Sequence, residues 1–588
     1  MKDRTCVMEV ALGQRKADMA VINGKIVNVY TREIYDGGVA VCEDTIAAVG
    51  QIDHCIGPNT TIIDANGNYL LPGFIDGHIH PESTSLSIRQ FAEVVLAHGT
   101  TCIMADMHEV GAVGGLDAME AVLSEAADIP LKTYFVVPSH IPFAPDLETS
   151  GGSLDSSVVA KALKRPDAIG LSEIVAPYLL QQFPDLLESM ELTRASGKSL
   201  QGHMPETTGP ALQACLAAGV ATDHESLTAD DVLERIRHGC YAMIREGSVA
   251  HNLPACIKAV TEHNVDTTMC SIITDDLHTI DLVDKGHLDE SVRVALANGV
   301  DFPTAVQMVT VNAARAFNLD QEIGSLTPGR RADICITTGP ENFRVKTVIA
   351  GGTLVAEDEK PLQPLSKVKH DSILLNTVKL DSSLTGEALV IKVDPKYKEA
   401  KVKVMRTVDW IPLTEGEEAT LPVVDGIIKA DPAQDVIHIA QVERHGKGGR
   451  IGKAFMAGFN LQSGALASTV GHDNHNITIL GVNPEDMAFA GNRLAEIGGG
   501  QIVVNNGQIV HEVPLPILGL LSDVDAWTLA KEKRRLIEAA HQLGCDIIWP
   551  FMFLSFITLA AAPKYAVTDR GFIDVMQQKI IDPVLELK

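Results

Sequence analysis

The first block of the chain has the pattern of short strands. Residues 18–71 contain β-branched and aliphatic runs that Gly and Asn interrupt: MAVINGKIVNVY, GGVAVCEDTIAAVG and TTIIDANGNYLLPG. This alternation is typical of small hairpins. It returns in residues 332–355, in ADICITT and KTVIAGGTLVAED. We therefore predict one small β-domain, assembled from residues 1–72 and 321–365 on either side of a central insert.

The central block, residues 73–320, alternates strand-like runs with helix-like runs. Eight units, each a strand followed by a helix, fit a (β/α)8 barrel of the TIM type. A doubly wound open sheet is the alternative, because a count of eight does not prove that the sheet closes. The strand candidates are FIDGHIH, TCIMADMHE, KTYFVVPSH, AIGLSEI, KSLQGH, VATDHE, CYAMIREGS and TTMCSIITDD.

The C-terminal block follows a change of composition at residues 359–371, where we place a linker. Residues 371–588 mix strand and helix patterns, with a clear helix at 525–543, so we predict a mixed α/β domain. A chain of 588 residues is also too long for one hydrophobic core. The predicted fold class is therefore α/β: the barrel, the composite β-domain and the C-terminal mixed α/β domain.

Charge and composition argue against several functional classes. Lys and Arg number 48 against 76 Asp and Glu, a formal net charge of −28, whereas nucleic-acid binding needs a basic surface. The N-terminus carries charges and has no apolar core of a signal peptide, and no stretch approaches the roughly 20 apolar residues of a membrane span. The ten cysteines form no C-x-x-C pair. We expect a cytoplasmic protein with reduced thiols that binds neither nucleic acid nor membranes.

Candidate chemistry begins at His78-Ile79-His80. Residues i and i+2 of a strand project from one face, so both imidazoles can bind one metal ion. In a (β/α)8 enzyme the functional groups stand at the carboxyl ends of the strands. The later strand ends add Glu173, His203, His224 and Asp275. Four histidines and two carboxylates suffice for two divalent ions with Glu173 as the shared bridge, and these ligands suit Mn, Fe or Zn.

The order of these residues resembles the amidohydrolase superfamily. Further runs resemble its adenine deaminase family, from position 72 to 522: PGFIDGHIHPES, DMHE, GLSEI, GHMPE, DHES, MIREGS, ITDD, GHDNHN and PLPILGLLSD. The resemblance implies metal-site roles for His78, His80, Glu173, His203, His224 and Asp275. Many relatives use a carboxylated Lys as the bridge, where this chain has Glu173. The chain departs from the family pattern at Pro81, Met107 and Leu277, and Leu277 stands beside the chemistry where Arg is usual.

The resemblance implies hydrolytic deamination of adenine to hypoxanthine and ammonia, a step of purine metabolism and adenine catabolism. A hydroxide that bridges the two metal ions would attack C6 of the base, and Asp275 would relay its proton, with Glu173 as the other catalytic residue. One alternative keeps the site and changes the substrate to another amino-heterocycle or a cyclic amide. The second alternative is a metal-free scaffold protein on the same fold. Such a protein would have lost metal ligands, whereas all six candidate ligands are present in this chain. The expected partner is a small purine base, and we expect a homo-oligomer.

Further residues past the predicted strand ends are candidates for substrate binding. They are Glu82, Ser83, His108, Glu109 and Arg245. Each has a structural alternative: His108-Glu109 can be a local polar turn, and Arg245 can form an ion pair with Glu246. Asp276 should point away from Asp275 on a strand, so we expect it to support the site from outside.

The C-terminal block adds His472 and His475 as candidates for substrate binding, in the polar run GHDNHN between apolar segments. We predict that this loop reaches over the barrel mouth, of the same or a neighbouring subunit, and helps to hold the substrate. A surface loop with locally bonded histidines is one alternative. A third metal site at H-x-x-H is the other.

Overall fold

The computed structural model describes residues 4–408, 411–560 and 564–588. Its N-terminal segment forms a short helix and five strands, because Gly and Asn turns divide the chain into short β-branched runs. These elements are α1 (Thr5–Ala11), β1 (Met19–Val27), β2 (Ile34–Cys42), β3 (Thr45–Gly50), β4 (Thr61–Asp64) and β5 (Tyr69–Pro72).

The central segment forms a parallel barrel. Eight strands follow one another around the sheet in sequence order, each parallel to its neighbour. A parallel bridge between Ile79 and Asp275 joins the first and last strands. This confirms the predicted (β/α)8 architecture and not its alternative, the doubly wound open sheet. The strands are β6 (Phe74–Ile79), β7 (Thr100–Asp106), β8 (Lys132–Pro138), β9 (Ala168–Val175), β10 (Ser199–His203), β11 (Thr222–Asp223), β12 (Tyr241–Arg245) and β13 (Cys270–Ile273).

Helices surround these strands. All residues of β6 and β7 are buried, because the barrel interior covers one face and the helices cover the other. The helices are α2 (Ile88–Ala97), α3 (His108–Glu125), α4 (Ser156–Ala162), α5 (Ala176–Leu180), α6 (Pro184–Ala195), α7 (Gly209–Ala217), α8 (Ala229–Arg237), α9 (Leu253–Cys256), α10 (Lys258–Thr261), α11 (Thr279–Lys285), α12 (Leu288–Ala297), α13 (Phe302–Met308) and α14 (Val311–Ala316).

The chain then returns to the N-terminal sheet through β14 (Ile334–Thr337), β15 (Val345–Ala350), β16 (Thr353–Glu357) and β17 (Lys360–Pro361). Strand β14 pairs antiparallel with β5, so the sheet order is β17-β16-β15-β14-β5-β1-β2-β3, and β4 pairs with β1. Strands from both flanks of the barrel therefore share one sheet. The short strand β17 lies inside the segment 359–371 that we predicted to be a linker.

The C-terminal segment is mostly β-sheet, with three helices in its described part. The predicted helix at 525–543 corresponds to α16. The elements are β18 (Glu399–Val408), β19 (Ile411–Val424), β20 (Ile427–Ile428), β21 (Ile437–Val442), β22 (Ile451–Ala457), β23 (Ala465–Ser468), β24 (Ile477–Gly481), α15 (Pro484–Glu496), β25 (Gly500–Asn505), β26 (Gln508–Pro514), α16 (Ala526–Gln542), α17 (Pro550–Phe556), β27 (Tyr565–Thr568), β28 (Gly571–Asp574), β29 (Lys579–Ile581) and β30 (Val584–Leu587).

The C-terminal segment packs against the loop that follows the first barrel strand. The Ser522 amide donates to the Ser85 carbonyl at 2.8 Å, and the Ser87 amide donates to the Ser522 carbonyl at 2.9 Å. The contact places C-terminal residues beside the carboxyl ends of the barrel strands. None of the helices in the described ranges is both long enough and apolar enough to cross a bilayer.

Candidate active site

The first and last barrel strands place His78, His80 and Asp275 together. The Asp275 amide donates to the His78 carbonyl at 3.2 Å, and the His80 amide donates to the Asp275 carbonyl at 3.3 Å. Asp275 has a φ of +62° and Glu173 a φ of +51°, the left-handed region that costs a non-glycine residue on the order of 1 kcal/mol. Surrounding contacts hold this backbone, and it directs both carboxylates towards the histidines.

Glu173 lies between two pairs of histidines. Its Oε1 is 3.3 Å from Nε2 of His78 and 3.6 Å from Nε2 of His80. Its Oε2 is 2.8 Å from Nδ1 of His203, and Oε1 is 3.6 Å from Nε2 of His224. One carboxylate therefore faces both pairs, as a bridge between two metal ions must.

Asp275 lies between the first histidine pair and Arg245. Its Oδ1 is 3.4 Å from Nε2 of His78, and its Oδ2 accepts a hydrogen bond from Arg245 Nη1 at 3.1 Å. Burial alone would raise the pKa of Asp275, but His78 and Arg245 hold that pKa below its usual range. The side chain is therefore an ionised acceptor, held from one side by a fixed guanidinium.

Arg245 also forms a two-pronged ion pair with Glu225, at 2.6 and 2.9 Å. The alternative pairing of Arg245 with Glu246 is wrong, because Glu246 instead bonds Nδ1 of His251 at 3.0 Å. Glu225 was missed by the sequence reasoning. The signal was available, since Glu225 directly follows His224 at the end of β11.

The donor groups fit divalent metal ions. Among the described residues, both ring nitrogens of His78 and Nδ1 of His80 are buried without a hydrogen-bond partner. Three groups each bring their ligand atoms within 4.8 Å of one another: His78, His80 and Glu173; Glu173, His203 and His224; His78, His224 and Asp275. Buried nitrogen lone pairs beside carboxylates are the environment that a bound cation satisfies.

The charge around these groups also favours a cation. Burial opposes protonation of His78, but Asp275 and Glu173 still raise its pKa to about 10. Burial likewise opposes protonation of His203, whose pKa Glu173 and Glu225 raise to about 10. The carboxylates therefore stabilise positive charge at the centre of the site.

The C-terminal loop that contains His472 and His475 reaches the barrel mouth of its own chain. His472 Nδ1 lies 3.0 Å from Oε1 of Glu109, and His475 Nε2 contacts the other carboxylate oxygen. His475 Nδ1 accepts the Gly471 amide at 3.2 Å, so its Nε2 carries the proton and donates to Glu109. Glu109, His472 and His475 also bring their ligand atoms within 4.8 Å of one another, so the third metal site stays an alternative prediction beside this hydrogen-bonded arrangement.

The remaining candidates lie around the same mouth and support it. Glu82 Oε1 accepts the amides of Glu109 at 3.2 Å and Val110 at 3.4 Å, which holds the start of α3. Ser83 donates to Asp276, and Asp276 points into a neighbouring cavity. His108 stacks on Phe143 with ring centroids 4.2 Å apart, and burial lowers its pKa to about 3, so its ring is neutral.

A cavity of about 450 Å³ lies between the barrel mouth and the C-terminal segment. Barrel loops contribute Asp276 and Leu277, and C-terminal elements contribute His472, Gln501 and Lys533. Sequence reasoning missed Gln501 and Lys533, because neither stands in a recognisable motif.

Two family descriptions match the chain. "Amidohydrolase family" matches residues 69–355, and "Adenine deaminase C-terminal domain" matches residues 412–579. The chain is 38% identical to an adenine deaminase of Moorella thermoacetica, over 98% of this chain and 97% of the relative. It is 38% identical to adenine deaminase 4 of Rhizobium meliloti and 40% identical to adenine deaminase 1 of Carboxydothermus hydrogenoformans, each over 97% of this chain and 96% of the relative.

Proposed function

Because the chain belongs to the adenine deaminase family of amidohydrolases, we propose that it hydrolyses adenine to hypoxanthine and ammonia. The observation that carries this proposal is the position of Glu173 between two histidine pairs, with Asp275 beside it. Similarity to relatives named adenine deaminase over nearly the whole chain supports a purine base as the substrate.

The ligand groups support two divalent ions per chain. His78, His80 and Glu173 would hold one ion, and Glu173, His203 and His224 would hold the other. When bound, such ions lower the pKa of a coordinated water towards ~7 and so supply a nucleophile at neutral pH. Mn, Fe and Zn all accept nitrogen and carboxylate ligands, so the ligand set leaves the choice of metal among these three.

Asp275 is the proton carrier in this proposal. One of its oxygens faces the histidines, where it can accept a proton from the attacking water and deliver it to the ring or to the leaving amine. Arg245 binds the other oxygen and prevents the carboxylate from turning away. Glu225 in turn fixes Arg245, so the Asp275 side chain meets the substrate in one orientation.

The loop with His472 and His475 would close the mouth over the base. Both oxygens of Glu109 are already bonded to these histidines, so Glu109 attaches the loop to the barrel. All three side chains are buried, which keeps bulk water away from this side of the site. Ser83 and Glu82 position Asp276 and the start of α3 around the same opening.

A second candidate substrate class is another amino-heterocycle or a cyclic amide. Leu277 favours testing it, because this side chain lines the cavity at the position where the family pattern has Arg. The homo-oligomeric state and the cytoplasmic location stay predictions from the sequence.

The test is ammonia release by the purified full-length protein after reconstitution with Mn, Fe or Zn. Adenine, adenosine, other aminopurines and cyclic amides are offered at equal concentration. We expect adenine to be the preferred substrate. Turnover of another heterocycle without turnover of adenine would replace this function by the second candidate.

A further inference from the structure

Lys533 is a buried lysine without an acidic partner. It lies on α16 with 3% of its surface exposed, and its ammonium donates to Ser85 Oγ at 2.8 Å. Within the described ranges no carboxylate forms an ion pair with it. Burial lowers its pKa to about 7. Burying an ammonium beside a single neutral acceptor costs stability, so the position needs an explanation other than packing.

This lysine stands where two cavities meet. The cavity of about 450 Å³ at the barrel mouth and a second of about 220 Å³ share five lining residues: His278, Gln501, Lys533, Phe551 and Met552. The inner cavity continues to Asp276 and His472, beside the proposed metal ligands. The outer one continues to Ile537 and Trp549. Shared walls on this scale indicate one continuous space, which reaches Asp276, the chain neighbour of Asp275.

The position of Lys533 relative to the catalytic centre is fixed by the fold. Its acceptor Ser85 lies five residues after His80, on the loop that leaves the first barrel strand. Ser522, just before α16, binds the backbone of the same loop on both sides of Leu86. The C-terminal segment therefore holds the ammonium beside the loop that carries a proposed metal ligand.

The lining of this space suits a flat heterocycle. Phe551 and Phe556, the latter stacked on His472, contribute aromatic surface, while Gln501 and Lys533 offer hydrogen-bond donors. A purine presents ring nitrogens that accept hydrogen bonds and two apolar faces. Sites for such ligands combine apolar walls with a few placed polar groups.

We propose that Lys533 binds the substrate, donating a hydrogen bond to a ring nitrogen of the purine on the edge remote from the reacting carbon. This inference rests on the proposed function and adds a substrate-binding residue that the C-terminal domain contributes to the barrel site. An ammonium with one protein acceptor keeps further N–H groups for a ligand. The base thus completes a hydrogen-bonding site that the protein alone leaves incomplete.

The first experiment compares Lys533→Met with two controls in the metal-loaded full chain. Lys531→Met removes an exposed lysine of the same helix, and Ser85→Ala removes only the protein acceptor of Lys533. We expect Lys533→Met to raise KM for adenine about tenfold or more while kcat changes less than about threefold, because one charge-assisted hydrogen bond is lost. Lys531→Met should be unchanged, and Ser85→Ala should have a smaller effect.

A purely structural role gives a different result. If Lys533 only ties α16 to the barrel loop, Ser85→Ala should reproduce the effect of Lys533→Met, and the melting temperature should fall in both. An unchanged KM in Lys533→Met would also overturn the proposal. Lys533→Arg, which keeps a donor, should recover part of the affinity.

The second experiment measures binding in metal-loaded proteins that also carry Asp275→Asn, in which turnover is slow, so that failure of the proposed function can be recognised separately. Trp549 lines the outer cavity, and its fluorescence reports titration with adenine, hypoxanthine, 3-deazaadenine and 7-deazaadenine. 3-Deazaadenine, which lacks N3 on the edge remote from C6, should bind the wild type about tenfold more weakly than adenine does, yet bind Lys533→Met equally well, and 7-deazaadenine, which lacks a nitrogen on the C6 side, should show no such difference. If adenine binds in this way but releases no ammonia, the function fails and the binding role stands. Equal losses for every analogue in both proteins, or no purine binding, would refute the role of Lys533.

Discussion

At the residue scale, two carboxylates define the chemistry. Glu173 and Asp275 both adopt a left-handed backbone and both face buried histidines. Strained backbone persists only where neighbouring contacts hold it, and here it directs both carboxylates to the positions that we propose for metal bridging and proton transfer. Each can be tested by a substitution that removes charge and keeps shape.

Asp275→Asn should lower kcat for adenine by about 10²–10⁴-fold, because the amide cannot accept the proton. Asp275 also belongs to one candidate ligand group, so kcat is compared at the metal content found in the variant. Steady-state kinetics with elemental analysis of the same preparation is the measurement. A variant with nearly normal kcat would remove Asp275 from the mechanism.

Glu173→Gln should reduce bound metal from two ions per chain to one or none, because a neutral amide is a poor bridge between cations. Elemental analysis after reconstitution measures this, with the exposed Glu191→Gln as a control that should keep both ions. Finding fewer than two ions in the fully reconstituted wild type would refute the binuclear site.

At the element scale, two parts of the C-terminal segment reach the barrel. The loop between β23 and β24 carries His472 and His475 to Glu109, and α16 carries Lys533 to Ser85. In both contacts, a polar side chain of the barrel finds its hydrogen-bond partner on the C-terminal segment. They make the C-terminal segment part of the active-site wall.

His475→Ala should lower kcat/KM for adenine by at least about tenfold while metal content stays constant, because the loop loses its bond to Glu109 and admits water. The exposed His238→Ala is the control for a histidine outside the site and should behave like the wild type. Unchanged kinetics in both His472→Ala and His475→Ala would leave the loop with a structural role only.

Lys533→Met should make the protein more stable at neutral pH, on the order of 1–3 kcal/mol, because it removes a buried ammonium. Folding lowers the pKa of Lys533 from 10.5 to about 7, so the folded state favours the neutral amine. Above pH 10.5 the side chain is neutral in the folded and the unfolded protein, so its full contribution to the free energy of unfolding is present. That contribution is lost as the pH falls from 10.5 through 7, because the unfolded protein takes up the proton first. The advantage of the variant should therefore grow from pH 9 to pH 6.5 in denaturant unfolding. A difference that is independent of pH would contradict this.

At the scale of the whole molecule, the chain's own C-terminal segment covers the barrel mouth. The space between them measures about 450 Å³ and ends at the wall formed by α16 and α17. A substrate must therefore fit between two domains as well as against the ligand groups. This limits which purines can be hydrolysed.

Adenine should be deaminated, and adenosine should be turned over at least about 100-fold less efficiently by kcat/KM, because the ribose would meet the C-terminal wall. Competition assays with both compounds measure the ratio. Efficient hydrolysis of the nucleoside would show that the cavity is open at that edge. Inosine and hypoxanthine inhibition constants provide a control that does not depend on turnover.

The sequence by itself determined the barrel and its proposed ligands. Alternating strand-like and helix-like runs over residues 73–320 predict strands and helices locally, and a parallel barrel then places every strand end at one face. His78, His80, Glu173, His203, His224 and Asp275 could for that reason be proposed together from their positions at strand ends. The structure brings all six together, five of them buried and His203 partly exposed.

The tertiary structure alone decided which side chains pair across the domains. Glu109 meets His475 across 366 positions of the chain, and Lys533 meets Ser85 across 448. Such contacts leave no periodicity in the sequence, because local patterns record only the neighbours within a strand or a helix. The same limit explains why Glu246 was considered as the ion-pair partner of Arg245, whereas the barrel turns the guanidinium to Glu225, just past the end of the neighbouring strand β11.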